Sequence, residues 1–303
     1  MTHANPLNQQ LDAAASRVLL VAHPERAVLA VTGADRQTWL NGLVTNDVAK
    51  LVVGGASYGL AVSQKGRIMA DMAVLIEEDR VLVVIPAAAS ADLRAHFDKY
   101  LIMEDAEVGE TALVVQMAHG PSSADLLARA KAKGAHGGLL DTTGLGGAVI
   151  LADAALDLST DVAALGGVVG DGPGWEALRL GLGIPAFGTD FDASTYPQEA
   201  GLEKRAVSFD KGCYLGQEVV CMLEMRGHVK RKLVPVLLEA GATALVGAAV
   251  ADSAGVEVGK LTSVALHPAR KQTVGLAMVK LAQTQVDTAL RVGEASARVF
   301  APA

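Results

Sequence analysis

The sequence predicts an α+β protein with antiparallel sheets and a small C-terminal β-barrel or sandwich. Its 303 residues exceed the size at which one hydrophobic core usually stops growing, so we expect two or three domains. The first third alternates short apolar runs and turns with helical stretches, which indicates an antiparallel meander accompanied by helices. The C-terminal part consists of short β-prone runs separated by turns, which is typical of a small barrel or sandwich.

Composition and charge narrow the class of protein. Hydrophobic residues make up 51% of the chain and charged residues 19%, as in globular proteins that form a core. The net charge of −7 argues against broad binding to nucleic acid or to anionic membranes. The 2 cysteines are too few for a disulfide framework and favour a reducing compartment. With no apolar signal core and no long apolar run, we expect a soluble, monomeric, cytoplasmic protein without a complete metal site.

The first third contains the predicted meander and the helices around it. Apolar runs on either side of His23-Pro24-Glu25 predict a pair of strands joined by a turn. In chain order we predict strands at 18–22 and 27–31, a helix ending near residue 43, strands at 57–63, 68–76 and 81–85, a helix at 90–100 and a strand at 112–117.

One carboxylate interrupts the apolar strand predicted at 68–76. Asp71 lies either on a solvated face, which alternation along the strand favours, or in a pocket. In a pocket it could accept a proton or bind a protonated nitrogen, with a pKa set by how dry the site is.

The remaining elements follow from apolar periodicity and from turn residues. The glycine-rich stretch 135–147 predicts a loop between domains, and Asp171-Gly172-Pro173-Gly174 predicts a turn before a helix. We predict helices at 122–133 and 175–182, a strand at 148–152, and barrel strands at 232–239, 248–251, 256–264, 273–281 and 297–300.

The most informative stretch is Lys211-Gly212-Cys213-Tyr214-Leu215-Gly216-Gln217-Glu218, which precedes a short predicted helix. Its two glycines permit positive φ or a close approach of another group. Unpaired N–H groups at a helix N-terminus favour an anion, which would lower the pKa of a nearby thiol. The alternative is that Cys213 is a small buried hydrophobe and that the glycines only form a turn.

This octet resembles the signature of the YgfZ family, a branch of the superfamily of the glycine-cleavage T-protein. The resemblance extends over about 17–232. It is carried by Leu43-Val44-Thr45-Asn46-Asp47, by Lys65-Gly66-Arg67-Ile68 with Asp71, by the helix that contains Arg179, and by Tyr196-Pro197-Gln198-Glu199-Ala200-Gly201-Leu202.

The resemblance implies a three-domain ring in which two interleaved α+β domains precede the barrel. The implied ranges are 1–48 with 120–210 for the first domain, 49–119 for the second, 211–231 for the motif and its helix, and 232–303 for the barrel.

The function implied is that of a tetrahydrofolate-binding accessory protein for iron–sulfur cluster assembly or repair, with effects on enzymes that include tRNA-modifying ones. Cys213 would act as nucleophile, redox centre or transient cluster ligand, and Lys211 would stabilise its thiolate. Asp71 and Arg179 would face tetrahydrofolate or a one-carbon derivative. The other motif residues would shape the turn: Gly212, Tyr214, Gly216, Gln217 and Glu218.

Two alternatives remain open on the sequence alone. Aminomethyltransferases of the superfamily have two adjacent aspartates where this chain has Ala70 and Asp71, which weakens the transferase reading and leaves folate binding open. A non-enzymatic module could instead bind folate as a structural ligand.

Residues 199–232 carry seven Lys/Arg and five Asp/Glu, a charge of +2, so this segment is a solvated loop or a docking surface for an anionic partner. Sparse aromatic residues disfavour RNA as that partner.

Overall fold

The computed structural model describes residues 6–227 and 229–302. Its helices are α1 (Pro6–Ser16), α2 (Arg36–Asn41), α3 (Ser90–Asp98), α4 (Ser123–Ala132), α5 (Ser159–Ala164), α6 (Gly172–Gly181), α7 (Pro197–Ala200), α8 (Glu203–Ala206) and α9 (Gln217–Met225). Its strands are β1 (Leu19–Ala22), β2 (Arg26–Thr32), β3 (Ala56–Val62), β4 (Ile68–Ile76), β5 (Val81–Pro86), β6 (Glu107–Glu110), β7 (Val114–His119), β8 (His136–Leu139), β9 (Gly147–Ala152), β10 (Val168–Val169), β11 (Arg231–Leu238), β12 (Ala249–Ala251), β13 (Glu257–His267), β14 (Gln272–Lys280), β15 (Ala289–Val292) and β16 (Ala295–Val299).

The chain divides into two compact units. The two-sheet unit contains residues 12–170 and 204–221, and the barrel unit contains the described residues of 1–11, 171–203 and 222–303. The predicted α+β class with antiparallel sheets and a C-terminal barrel is confirmed. Residues 1–5, 228 and 303, which the predicted domain ranges include, lie outside the described residues.

The two-sheet unit is built on two five-stranded sheets. The first has the strand order β10-β1-β7-β9-β8 and the second the order β3-β4-β5-β2-β6. Neighbouring strands pair antiparallel, apart from the parallel pair of β1 and β10.

Alternate residues of a strand face the same side of its sheet. Apolar side chains on one side of each sheet pack together and form a shared core. Each fully buried Val or Leu contributes about 1.5–3 kcal/mol relative to an exposed one. With aromatic residues at only 4% of the chain, this core is aliphatic. The buried members are Val28, Ala73, Leu75, Leu82 and Val84 from the second sheet, and Val115, Val149 and Leu151 from the first.

The strands predicted at 18–22 and 27–31 are present as β1 and β2 with a turn between them, but they join different sheets and do not pair with each other. The turn between them passes from one sheet to the other. His23 N donates to Val115 O in the first sheet at 2.9 Å, and Ala87 N, directly after β5 of the second sheet, donates to Glu25 O at 2.9 Å.

The strand predicted at 112–117 is present as β7 and lies in the first sheet, whereas the second sheet contains β6, which the sequence did not predict. One local prediction is wrong for reasons of packing. The glycine-rich stretch expected to be a loop contains β8. A Cβ on Gly138 would lie 2.9 Å from the Ala56 Cβ, so this strand uses glycine to allow close packing.

Each sheet combines strands that are distant in sequence. Residues 26–32 pair within the second sheet and residues 114–119 within the first, and both sheets lie in one compact unit. The division into three domains stays a prediction.

The barrel unit contains a closed barrel of six strands in the order β11-β14-β13-β12-β15-β16. Helix α6 begins at its N-cap Asp171, whose side chain accepts a hydrogen bond from Gly174 N at 2.8 Å. Leu180 of this helix packs on barrel residues that include Leu233, Val274 and Phe300. Among the described helices, none has both the length and the apolar character needed to cross a membrane.

Candidate functional site

The side chain of Lys211 is buried, and three backbone oxygens hold its ammonium group. Nζ donates to Asn41 O at 2.6 Å, to Val44 O at 2.8 Å and to Asn46 O at 2.6 Å. These bonds use all three donors of an ammonium group. Burial lowers the pKa of Lys211 to about 8, and the charge of Asp47 acts in the opposite direction. Lys211 therefore ties the motif to the segment 41–46, and its donors are not available to a thiolate.

Cys213 is exposed and lies between two buried residues of its own segment. Lys211 is 8% exposed and Tyr214 6%, whereas Gly212 and Cys213 both face solvent. The Lys211 ammonium lies 5.3 Å from the centroid of the Tyr214 ring, within the range of a cation–π contact. Burial raises the pKa of Tyr214, and the nearby Cys221 adds to this effect. The alternative that Cys213 is a buried hydrophobe does not hold for this structure.

Position 216, three residues after Cys213, requires glycine because of its backbone conformation and its close packing. Gly216 has φ = 78°, and a Cβ there would lie 2.3 Å from Ser63 O in the turn between β3 and β4. A Cβ on Gly66 in the same turn would lie 3.0 Å from Val219 of α9. The motif and the Lys65-Gly66-Arg67 turn, which the sequence indicated separately, are therefore packed together.

The last two motif residues begin helix α9. Gln217 N donates to Tyr214 O at 3.2 Å. Glu218 is exposed in the first helical turn, where a negative charge complements the helix dipole.

Thr45 and Asn46 connect β3 to the segment that leads into the motif. Thr45 N donates to Leu60 O, and Leu60 N donates to Thr45 Oγ1, both at 2.9 Å. Thr45 Oγ1 also donates to Ala206 O at 2.5 Å, and Ser208 N donates to Thr45 O at 2.9 Å. Thr45 therefore bonds β3 to residues 206–208, which precede the motif.

Asp71 is 2% exposed, so the solvated face that strand alternation favoured is wrong. Arg26 donates to both of its carboxylate oxygens, Nη1 to Oδ1 at 2.8 Å and Nη2 to Oδ2 at 2.9 Å. Tyr58 Oη donates to Oδ2 at 3.0 Å. Burial acts to lower the pKa of Arg26, but Asp71 raises it above the ordinary value, and burial together with Asp71 raises the pKa of Tyr58.

Arg26 and Tyr58 were not predicted from the sequence. The signal that could have found them is a charged or polar residue on each of three mainly apolar strands, β2, β3 and β4. A carboxylate offers about four lone-pair sites, so the three donors of Arg26 and Tyr58 leave one acceptor position on Asp71.

Arg179 lies in the barrel unit, is 1% exposed, and has partners for all five of its N–H donors. Nε and Nη2 bind Glu176 at 2.7 Å each, and Nη2 also donates to Ser263 Oγ at 3.0 Å. Nη1 donates to Asp190 Oδ2 at 2.8 Å and to Ile184 O at 3.1 Å. Burial acts to lower the pKa of Arg179, and the carboxylates raise it. This geometry ties α6 to the barrel and leaves no donor of Arg179 for folate.

Two parts of the chain match known protein families. Residues 4–136 match the GCVT N-terminal domain, and residues 230–303 match the CAF17 C-terminal beta-barrel domain. The aminomethyltransferase of Thermotoga neapolitana is 30% identical over an alignment of 280 residues that covers 83% of this chain and 75% of the relative. The tRNA-modifying protein YgfZ of Escherichia coli O127:H6 is 24% identical over 242 residues, covering 75% of this chain and 74% of the relative.

The chain is a YgfZ-type member of the glycine-cleavage T-protein superfamily. The YgfZ-type assignment is also supported by the mitochondrial iron-sulfur cluster assembly factor IBA57 homolog of Phaeosphaeria nodorum. It is 24% identical over 245 residues, covering 76% of this chain and 56% of the relative. The crystal structure of glycine cleavage system aminomethyltransferase T from Bartonella henselae has the same fold. Its TM-score is 0.83 at 19% identity, with 97% of this chain and 88% of that chain covered.

Proposed function

We propose that this protein is a tetrahydrofolate-binding accessory protein for iron–sulfur cluster assembly or repair and that it acts through Cys213. Membership of the superfamily supports folate binding, and the names of the YgfZ and IBA57 relatives support a role in cluster assembly and tRNA modification. The observation that carries the proposal is the exposure of Cys213 between two buried residues. Neither Cys213 nor Cys221 forms a disulfide, which is compatible with a reducing compartment such as the cytoplasm.

A thiolate is both a nucleophile and a soft ligand for iron and sulfur chemistry. At an exposed position it can reach a group carried by another protein. One thiolate fills only one ligand position, so in this proposal the other ligands of a cluster in transit come from its carrier protein.

Folate would be held through Asp71. Its carboxylate keeps one acceptor position beside the Arg26 and Tyr58 bonds, which suits an N–H donor such as those of a pterin ring. Arg179, expected at first to share this role, is assigned instead to the link between α6 and the barrel.

The deciding experiment replaces each cysteine separately in a strain that lacks the protein. Cys213→Ala is expected to abolish the recovery of cluster-dependent enzyme activities, whereas Cys221→Ala on α9 is expected to retain it. Equal recovery by both variants at matched protein levels would remove Cys213 from the function.

Folate binding is tested separately by calorimetry with tetrahydrofolate. Wild-type protein is expected to bind, and Asp71→Asn, which exchanges an acceptor for a donor, is expected to bind more weakly. A wild-type protein that releases no heat of binding would remove folate from the proposal and leave the role of Cys213 standing.

An aminomethyltransferase is the second candidate, and the 30% identity to the Thermotoga neapolitana enzyme favours it. The sequence argues against it, because Ala70 replaces one of the two adjacent aspartates of the superfamily's aminomethyltransferases, and Arg26 binds both oxygens of the remaining Asp71. The test is incubation with a methylamine-loaded carrier protein and tetrahydrofolate. Formation of methylenetetrahydrofolate would establish the transferase and displace the accessory role.

A further inference from the structure

The charge of Lys211 is directed into the protein and away from the exposed thiol two residues later. Its three donors bind Asn41 O, Val44 O and Asn46 O at 2.6–2.8 Å. These acceptors are 165 to 170 residues earlier in the chain, so the contact fixes one distant segment against another.

The segment that accepts these bonds is itself anchored. Thr45 pairs with both backbone polar groups of Leu60 in β3. The Asn46 amide donates to Ser57 Oγ, and the Asn41 side chain accepts from Val48 N at 2.9 Å. Val44 O and Asn46 O therefore lie in a segment that is bonded to β3, and Asn41 O lies at the end of α2, so regular structure holds the acceptors of the lysine.

A second anchor follows Cys213. The Tyr214 ring is buried beside the Lys211 ammonium, and Leu215 N donates to Gly42 O at 3.0 Å. Between the two anchors, a Cβ on Gly212 would meet no described atom within 4 Å apart from its own residue and its two chain neighbours, and the φ of Gly212 lies outside the left-handed region.

From this arrangement we infer that Lys211 is a positioning residue: by binding the carbonyls of 41–46 it holds Gly212 and Cys213 out from the surface in one fixed geometry. The inference rests on the proposed function of Cys213 and replaces the role of thiolate stabiliser. Because Gly212 carries no side chain and has open space around it, a bulky partner can approach the sulfur over bare backbone.

The two roles of Lys211 make different predictions for Lys211→Met, which keeps the length of the side chain and removes its charge. If Lys211 stabilises the thiolate, its replacement would shift the pH profile of Cys213 alkylation to higher pH. If Lys211 is a positioning residue, its replacement would leave that profile unchanged and would release the thiol from its fixed geometry.

The experiment uses the full chain with Cys221→Ser, so that Cys213 is the single thiol. A nitroxide attached to Cys213 reports mobility by electron paramagnetic resonance, and iodoacetamide alkylation gives the pH profile of the free thiol. The variants are Lys211→Met and, as the matched control, Lys204→Met, which removes an exposed lysine from the same part of the chain.

We expect a several-fold faster motion of the probe in Lys211→Met, an unchanged alkylation profile, and no change of either in Lys204→Met. A general loss of stability would lower the unfolding temperature, but it would not mobilise the probe at temperatures well below the unfolding transition. Probe mobility therefore separates positioning from a merely structural role. Unchanged mobility in a folded Lys211→Met protein, or a shifted alkylation profile, would overturn the inference.

Lys211→Ala provides a second test if the methionine variant does not fold. Propylammonium added to this variant can occupy the space of the lost side chain and donate to the three carbonyls. We expect it to restore the restricted probe spectrum, and failure to do so in folded protein counts against positioning. The probe result does not depend on complementation, so the proposed function of Cys213 can fail while the geometry assigned to Lys211 stands.

Discussion

The side chain of Asn46 occupies the space over Gly59 that a side chain at that position would need. A Cβ on Gly59 would lie 2.1 Å from Asn46 Oδ1 and 2.8 Å from Asn46 Cβ. Because the Cβ of Asn46 moves only with its backbone, a larger residue at 59 must displace the segment that binds Lys211.

Gly59→Ala is therefore expected to lower the free energy of unfolding by about 1–3 kcal/mol, the usual cost of overpacking. It is also expected to increase the mobility of a probe on Cys213, although the two residues are far apart in sequence. Urea denaturation and the nitroxide spectrum are the measurements. Gly212→Ala, which meets open space, is the control and is expected to change neither the stability nor the fold.

The ion pair between Asp71 and Arg26 predicts a strong and non-additive effect on stability. Asp71→Asn leaves the Arg26 guanidinium without its counter-charge, and we expect a loss of about 3–5 kcal/mol in the free energy of unfolding. Adding Arg26→Met is expected to cost less than the sum of the two single changes, since the variants share one interaction. Urea unfolding followed by Trp39 fluorescence in a Trp175→Phe background measures this within the two-sheet unit.

The control for the Asp71 and Arg26 variants is Glu110→Gln, which removes an exposed ion pair with Arg94 in the same unit. Such surface pairs contribute only about 0–1 kcal/mol. A loss for Asp71→Asn no larger than that of the control would show that the buried pair is not required for stability.

The saturated guanidinium of Arg179 predicts that this residue affects stability and leaves folate binding unchanged. Arg179→Met is expected to cost about 3–5 kcal/mol because it leaves the buried carboxylate of Asp190 without its cation. Arg179→Lys is expected to recover only part of this loss, since an ammonium has fewer donors than the bonds to be made. Trp175 fluorescence in a Trp39→Phe background reports unfolding of the barrel unit.

Calorimetry at a temperature where Arg179→Met is folded separates the two roles of Arg179. An unchanged tetrahydrofolate affinity supports the structural role, and a large loss of affinity would restore Arg179 to the folate site. Arg298→Met, which removes an exposed pair with Asp287, is the control for stability.

His119 predicts acid sensitivity of the two-sheet unit. It is buried at the end of β7, and burial lowers its pKa from 6.5 to about 3, with His23 adding to the effect and Asp141 opposing it. The unfolded chain binds a proton there as the pH falls through 6.5, whereas the folded chain does not until about 3. Stability is therefore lost as the pH falls, by about 2 kcal/mol between about pH 7.5 and pH 5.

The measurement is the free energy of unfolding of wild type and His119→Gln at several pH values across this range. The slope with pH is expected to be smaller in the variant, whatever its absolute stability. Parallel slopes would show that His119 does not cause the acid sensitivity.

The sequence by itself determined those elements whose signals are local. Alternating apolar runs between short turns predicted β3, β4 and β5, and the repeated short strands predicted the C-terminal barrel. The same local signals placed Cys213 shortly before a helix, because glycine turns and an apolar stripe act over only a few residues.

Only the tertiary structure decided which segments meet. Apolar strands such as β1 and β2 are suited to either sheet, and their partners were selected by packing between the sheets. Asp71 is 45 residues from Arg26, and Lys211 is 165 residues from Asn46, so no local pattern could show either contact. The exposure of a thiol, the pairing of a carboxylate and the saturation of an arginine depend on neighbours that folding supplies. For that reason the sequence could name Cys213, Asp71 and Arg179 but could not assign their roles.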